Sequence, residues 1–273
     1  MLKNKNRVAI LMATYNSEKY INEQIESLIS QSYTNWSLYI RDDGSIDNTI
    51  NIISSYQHRY DNIFVLNADT SLGPKDSFME LLSEVESEYY IFCDHDDVWL
   101  SNKIQLFVQK IDSFLRIDEN RPVIVCSDLV IVDENLNMMH PSFWEFSNFK
   151  EKDFNDFIFH WFGNNINGCS MLINNVAKCK AFPMPQSVYM HDSWIALATL
   201  ANNGIVLMIK EPTMLYRQHN NNTLGAKKVS FNHYITDIKG VLKRTYNQFL
   251  TVNTLINISF MEFIILKCKY RFF

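Results

Sequence analysis

From Arg7 to Ala13 (RVAILMA) the chain is continuously apolar after its first residue, the pattern of a central parallel strand covered on both faces. Thr14-Tyr15-Asn16-Ser17 interrupts it, and Ile21, Ile25, Leu28 and Ile29 then recur at the spacing of one helical face. Asn16 or Ser17 is the candidate N-cap, with Glu18 favourable in the first turn. Trp36 to Ile40 predicts a second strand, closed by Arg41-Asp42-Asp43-Gly44-Ser45. Asp47 is placed to cap the next helix, with Ile50, Ile53 and Tyr56 facing inward. Ile63 to Leu66 predicts a third strand, and Gly73-Pro74 leads into a helix carrying Phe78, Leu81, Leu82 and Val85, with Pro74 tolerated in its first turn. Tyr89 to Cys93 predicts a fourth strand, followed by a helix near residues 102–115. Four strand–helix alternations of this kind indicate a parallel, doubly wound α/β sheet. Ligands of such sheets bind beyond the carboxyl ends of the strands. Thr14-Tyr15-Asn16, Asp42-Asp43 and Asp94-His95-Asp96-Asp97 all follow strand ends, so they are expected on one rim.

The second half is less regular. Val123 to Val132 reads as one or two strands, and an aromatic, irregular stretch runs from Pro141 to Phe162. Asn164 to Ile173 reads as a loop entering a strand. Met190-His191-Asp192-Ser193-Trp194 opens a helix over residues 195–200, Gly204 to Ile209 is a strand, and Tyr216-Arg217-Gln218-His219-Asn220 follows it. From Thr236 the tail is helical and basic: Lys239, Lys243, Arg244, Lys267, Lys269 and Arg271 against Asp237 and Glu262. Its apolar part, Phe249 to Leu266, is interrupted by Asn253, Asn257, Ser259 and Glu262, which makes it a poor membrane-spanning helix. Two readings stand side by side: a helix lying on an anionic membrane surface, or one packed on the domain or a second subunit.

Composition narrows the picture a little. An apolar fraction of 47% with 20% charged residues is that of a globular chain with a real core. A net charge of −5 argues against a general nucleic-acid binder, so no nucleic-acid partner is expected. The five cysteines are scattered without a Cys-x-x-Cys pair, which indicates neither a zinc site nor a disulfide framework. The apolar stretch after Arg7 is too brief for a signal-peptide core, and a reduced, cytoplasmic setting is expected.

The densest candidate chemistry is at the end of the fourth strand, where Asp94, His95, Asp96 and Asp97 follow one another. Three carboxylates this close repel, and they are costly to desolvate unless a cation lies among them. A divalent metal held by carboxylate oxygens, with a phosphate-bearing ligand, resolves the conflict. A solvated acidic loop is the plain alternative.

Taken together, Val8 to Asn16, Ser30-Gln31-Ser32-Tyr33, Asp42-Asp43-Gly44-Ser45-Ile46-Asp47-Asn48-Thr49 and Asp94-His95-Asp96-Asp97-Val98-Trp99 resemble family-two glycosyltransferases of the GT-A fold in order and spacing. Met190 to Trp194 and Tyr216 to Asn220 are similar to the later motifs of the bacterial rhamnosyltransferase-like branch. The resemblance spans about residues 7–225. It implies a Rossmann-like, mostly parallel sheet flanked by helices, with residues 1–120 binding the nucleotide sugar, 121–228 binding the acceptor, and 229–273 as a helical tail. It further implies that Thr14, Tyr15, Asn16, Asp43, Asp94, Asp96 and Arg217 contact the donor, with Asp43 accepting the imide N–H of uracil or thymine. Asp96, Asp97 and His219 would hold Mn2+ or Mg2+, and Asp192 would be the catalytic base.

The activity implied is an inverting, metal-dependent transfer of rhamnose or a hexose. The donor would be dTDP-rhamnose or a UDP-hexose, and the acceptor the hydroxyl of a lipid-linked oligosaccharide in bacterial surface polysaccharide assembly, at the inner face of the membrane. Each residue also has a plainer reading. Asp192 is a helix N-cap, Asp42 satisfies the turn with Gly44, Arg217 and His219 belong to a polar loop, Trp99 and Trp194 are core, and His191 orients Asp192 or fills space. Two other functions remain open: a nucleotidyltransferase or nucleotide-sugar pyrophosphorylase, for which the Gly-rich phosphate loop after the first strand is missing, and a non-catalytic sugar-binding module.

Overall fold

In the computed structural model, residues 2–3, 6–66, 70–163, 165–220, 222 and 238–272 are described. Strands β1 (Leu2–Lys3), β2 (Val8–Thr14), β3 (Trp36–Asp42), β4 (Ile63–Leu66), β5 (Val85–Glu86), β6 (Tyr89–Cys93) and β7 (Val98–Trp99) belong to the first half. Helices α1 (Ile21–Ile29), α2 (Thr49–Arg59), α3 (Pro74–Glu84) and α4 (Lys103–Leu115) alternate with them. The second half contributes β8 (Val123–Val132), β9 (Met138–His140), α5 (Phe143–Phe146), β10 (Met171–Asn174), α6 (Asn175–Lys180), α7 (His191–Ala201), β11 (Ile205–Arg217), α8 (Ile238–Asn253) and α9 (Phe260–Phe272).

The main sheet runs β4-β3-β2-β6-β10-β8-β11-β7, with β9 paired to β8. The pairs β4–β3, β3–β2 and β2–β6 are parallel, as the alternation predicts. Beyond β6 the sheet is mixed: β10 is antiparallel to both β6 and β8, β11 is parallel to β8, and β7 is antiparallel to β11. Two reversals cancel, so β8 and β11 point the same way as β2, β3, β4 and β6. Their carboxyl ends share one rim with the entry to the reversed β10.

Every residue of β2 is buried, because successive side chains enter opposite layers. Val8, Ile10 and Met12 pack with Ile21, Ile25 and Leu28 of α1 and with Ile104, Phe107 and Ile111 of α4. Ala9, Leu11 and Ala13 pack with Phe78, Leu81 and Leu82 of α3 and with Trp194 and Ile195 of α7. The apolar run reads as continuous because helices cover both sides.

Several expectations shift. The inward stripe of α2 is Thr49, Ile53 and Tyr56, whereas Ile50 turns outward and is 48% exposed. Neither Asn16 nor Ser17 caps α1: Asn16 is left-handed at φ 47° and its Oδ1 accepts from Ile46 N–H, while the Ser17 carbonyl accepts from Tyr20 and Ile21 in a turn before the helix. Asp47 accepts from Thr49 N–H and from Glu18 N–H, tying the first two turns together. Val98–Trp99 forms a strand that the sequence did not suggest, and Tyr216-Arg217 is strand end rather than loop.

The tail is a pair of helices instead of one, broken between Asn253 and Phe260. Val252 and Phe263 are fully buried against Trp161 and against Leu197 of α7, which shows the packed reading for that side. Leu242, Tyr246, Met261 and Ile265 remain exposed on the other side. Among the described residues no helix is long and apolar enough to cross a membrane. The boundary expected at 228/229, together with Asn164, Thr236 and Asp237, lies outside the described residues.

Candidate active site

The rim brings the expected segments together. Thr14 pairs with Asp42 across β2 and β3, and its Oγ1 donates to Asp42 Oδ1 at 2.9 Å. Asp42 also accepts from Gly44 N–H and Ser45 N–H, so the turn reading of Asp42 holds. Gly44 is at φ 92°, a conformation glycine adopts without strain. Tyr15 is half-exposed beside this turn, and Asn16 N–H donates to Ser45 Oγ.

Asp43 reaches the rim with its carboxylate turned to the loop before α3. It accepts from Arg41 Nη1 at 2.6 Å, Ser71 Oγ at 2.8 Å, Leu72 N–H at 2.7 Å, Gly73 N–H at 2.8 Å and Ser77 Oγ at 3.1 Å. Burial alone would raise this carboxyl, but those donors outweigh it and hold it at about 2. Its roughly four lone-pair sites are filled, so an imide N–H could bind only by displacing one of them.

The acidic cluster divides. His95 lies against the Ala13 carbonyl. Asp96 meets the His219 ring, with Oδ2 2.8 Å from Nε2, and His219 stacks on Tyr20 at 4.8 Å. Burial would raise Asp96, but the bond from His219 and the charges of His95 and His219 hold it below the usual range. Asp97 points the other way: it is fully buried, Oδ1 accepts from Arg217 N–H at 3.0 Å, and Oδ2 has no hydrogen-bond partner. Burial, then the charges of Asp96 and Asp94, push Asp97 well up. Asp94 is pushed up to about 7 by burial, then by Asp96 and Asp192. The expected metal set Asp96, Asp97 and His219 is therefore split, because a loop after a strand end can send neighbouring side chains to opposite sides.

Arg217 is likewise committed elsewhere. It is 2% exposed; its Nε donates to the Asp96 carbonyl at 2.7 Å, Nη1 to the Glu134 carbonyl at 2.8 Å, and Nη2 to Glu23, while the guanidinium lies 4.6 Å from the Tyr20 ring centroid. It clamps the rim from behind. Trp99 and Trp194 are core, and His191 fills space between Phe78 and Phe92 with neither ring nitrogen hydrogen-bonded.

Asp192 is the second residue of α7, inside the helix rather than ahead of it. Its Oδ2 accepts from Gly168 N–H at 3.0 Å and its Oδ1 from Ser193 N–H at 2.7 Å. The sequence offered no hint of Gly168 and Cys169 beyond a loop entering a strand. They reach the rim because β10 is reversed, so its amino end lies beside the carboxyl end of β6. Donor atoms of Asp94, Asp97 and Cys169 lie within 4.8 Å of one another. A thiol suits Mg2+ or Mn2+ poorly, so within that group only the carboxylates of Asp94 and Asp97 suit such an ion, while Asp96 is paired with the His219 imidazole.

Residues 9–179 match the family model described as "Glycosyl transferase family 2". The chain is 29% identical over 266 residues to the dTDP-rhamnosyl transferase RfbG of Shigella flexneri, covering 92% of this chain and 86% of that protein. Among solved structures, S. aureus TarS 1–349 in complex with UDP-GlcNAc aligns with a TM-score of 0.61 at 17% identity, over 97% of this chain and 71% of that one. The mannosyltransferase PcManGT of Pyrobaculum calidifontis, in complex with GDP-Man and Mn2+, aligns with a TM-score of 0.63 at 13% identity, over 98% and 70%. These likenesses give the GT-A fold. Because that family model spans more than half of the chain, and a named glycosyltransferase aligns along most of it, the chain belongs to glycosyl transferase family 2 and is a glycosyltransferase.

Proposed function

We propose that this chain inverts the anomeric centre of a nucleotide-diphosphate sugar as it transfers the sugar to an acceptor hydroxyl, with Asp192 as the base. The observation that carries the reading is that Gly168 N–H holds Asp192 Oδ2 while the next residue, Cys169, brings its thiol within 4.8 Å of the donor atoms of Asp94 and Asp97, so the Asp192 carboxylate and the acidic strand end share one turn. An inverting transfer needs one base to take the acceptor proton and no second nucleophilic carboxylate. Asp192 Oδ1 and Oδ2 are held by the N–H groups of Ser193 and Gly168, which fixes the carboxylate's direction before substrate arrives.

Mn2+ or Mg2+ held by Asp96 and His219, with Asp94, would stabilise the negative charge that grows on the departing diphosphate. Thr14, Tyr15 and Asn16 face the nucleoside end of the donor, and Asp43 acts on that end through the loop at residues 70–73. The similarity to RfbG along most of the chain favours dTDP-rhamnose over a UDP-hexose. The product belongs to bacterial surface polysaccharide, built on a lipid-linked acceptor. The exposed face of α8 and α9 supports that setting: Leu242, Tyr246 and Leu250 recur every four residues with Lys239 and Lys243 among them, while Met261 and Ile265 extend the apolar surface. Six basic side chains against Asp237 and Glu262 suit an anionic bilayer.

Asp192→Asn separates base from scaffold. Transfer from dTDP-rhamnose should fall by about 10³-fold or more with nucleotide affinity nearly intact. Asp96→Ala should instead weaken nucleotide binding in the presence of Mn2+. Wild-type turnover by Asp192→Asn would remove the base assignment.

A further inference from the structure

Lys103 opens α4 directly behind the acidic rim and is fully buried. Its Nζ donates to the Cys169 carbonyl at 2.6 Å and to Met214 Sδ at 3.0 Å, and lies 4.0 Å from the Trp99 ring centroid. The charges of Asp97 and Asp94 face it. Withdrawing an ammonium from water costs several kcal/mol. A methionine of similar length would fill the space against Trp99 and Phe107 without that cost. What it could not do is hold a carbonyl.

That carbonyl belongs to the short turn Gly168–Ser170, and the N–H of its first residue is the one that grips Asp192 Oδ2. The turn has little freedom on its other side. A side chain at Gly168 would come within 2.8 Å of His191 Nε2, and the His191 ring is wedged against Phe78 and Phe92. One face of the turn is thus anchored by a buried cation from the donor half, while the N–H of the preceding residue, Gly168, aims a carboxylate of the acceptor half.

We propose that Lys103 is a positioning residue for Asp192, acting through the Gly168–Cys169 turn. The inference rests on the reading of Asp192 as the base. Releasing the Cys169 carbonyl lets the turn drift and carries the Gly168 N–H with it, so Asp192 loses its aim while the donor side keeps its contacts.

The test is a double-mutant cycle on the full chain with dTDP-rhamnose as donor. Lys103→Met should lower kcat about a hundredfold, the penalty of an ångström-scale misplacement, with donor KM changed by less than about threefold. In the Asp192→Asn background the same substitution should cost less than about twofold, because there is no base left to misplace. Equal losses in both backgrounds, or a wild-type kcat for Lys103→Met beside an inactive Asp192→Asn, would overturn this proposal and leave the base assignment standing. Full activity of Asp192→Asn would overturn both. Should Lys103→Met not accumulate folded, Gly168→Ala displaces the same turn with the lysine intact. It should show the same kcat-only loss, and an unchanged kcat there would also overturn the proposal.

Discussion

Replacing Asp43 by Asn tests whether that carboxylate serves the ligand or the protein. In the wild type the carboxyl sits at about 2 against an ordinary 3.8, because the donors from Ser71, Leu72, Gly73 and Arg41 outweigh its burial. A shift of that size corresponds to about 2 kcal/mol of folding free energy at neutral pH. The amide introduced by the substitution would also turn its NH2 toward donors that now have an acceptor, and each buried group left unpaired adds about 1–3 kcal/mol. Asp43→Asn should therefore unfold about 3–4 kcal/mol more easily at pH 7, which lowers the urea midpoint by about 1 M at a slope near 3 kcal/mol/M.

The pH dependence gives a second check. A carboxyl held low in the folded state stabilises fully above its unfolded value and loses that contribution as pH falls through the folded one. The charge-linked part of the gap should be constant above about pH 4 and close between about pH 4 and pH 2. If Asp43→Asn instead unfolds with the wild type at pH 7 while donor KM rises steeply, the carboxylate is reserved for the nucleotide and the loop-clip account is wrong.

Other substitutions probe the rim and the tail. Arg217→Lys loses the planar fork that spans the Asp96 carbonyl, the Glu134 carbonyl and Glu23, so Tm should drop by about 5–10 °C; an unchanged Tm with weakened diphosphate binding would return Arg217 to the donor site. His219→Ala removes the partner of Asp96 and should weaken UDP or dTDP binding about tenfold with Mn2+ and hardly at all without it, whereas equal losses in both conditions would take the metal away from this pair. Leu242→Glu combined with Ile265→Glu alters two exposed positions and should leave stability within about 0.5 kcal/mol. It should also abolish co-flotation with phosphatidylglycerol vesicles, and unchanged flotation would show that this face does not meet the bilayer.

The parallel part of the sheet was legible because burial on both faces forces unbroken apolar strands, and the helices between them carry one-face stripes. Asp42 could be assigned to its turn from Gly44 alone. Asp97 could not be told from Asp96. Strand periodicity ends at Cys93, and beyond it side-chain direction is set by partners far along the chain, Arg217 for one and His219 for the other. Gly168 and Cys169 carried no motif at all; only the reversal of β10 beside β6 puts them at the rim. The tail shows the same division, since the sequence marked it as helical and basic while only packing against Trp161 and Leu197 decided which side is covered.

Local periodicity, and the points at which strands stop, were enough to read the layered α/β architecture, the rim on which chemistry gathers and the residue types available there. Folding of the whole chain was needed to decide which carboxylate pairs with His219, which are spent holding loops, and that a buried lysine reaches the turn beneath Asp192. Those choices depend on contacts between residues 28 to 123 positions apart, and no local pattern encodes them.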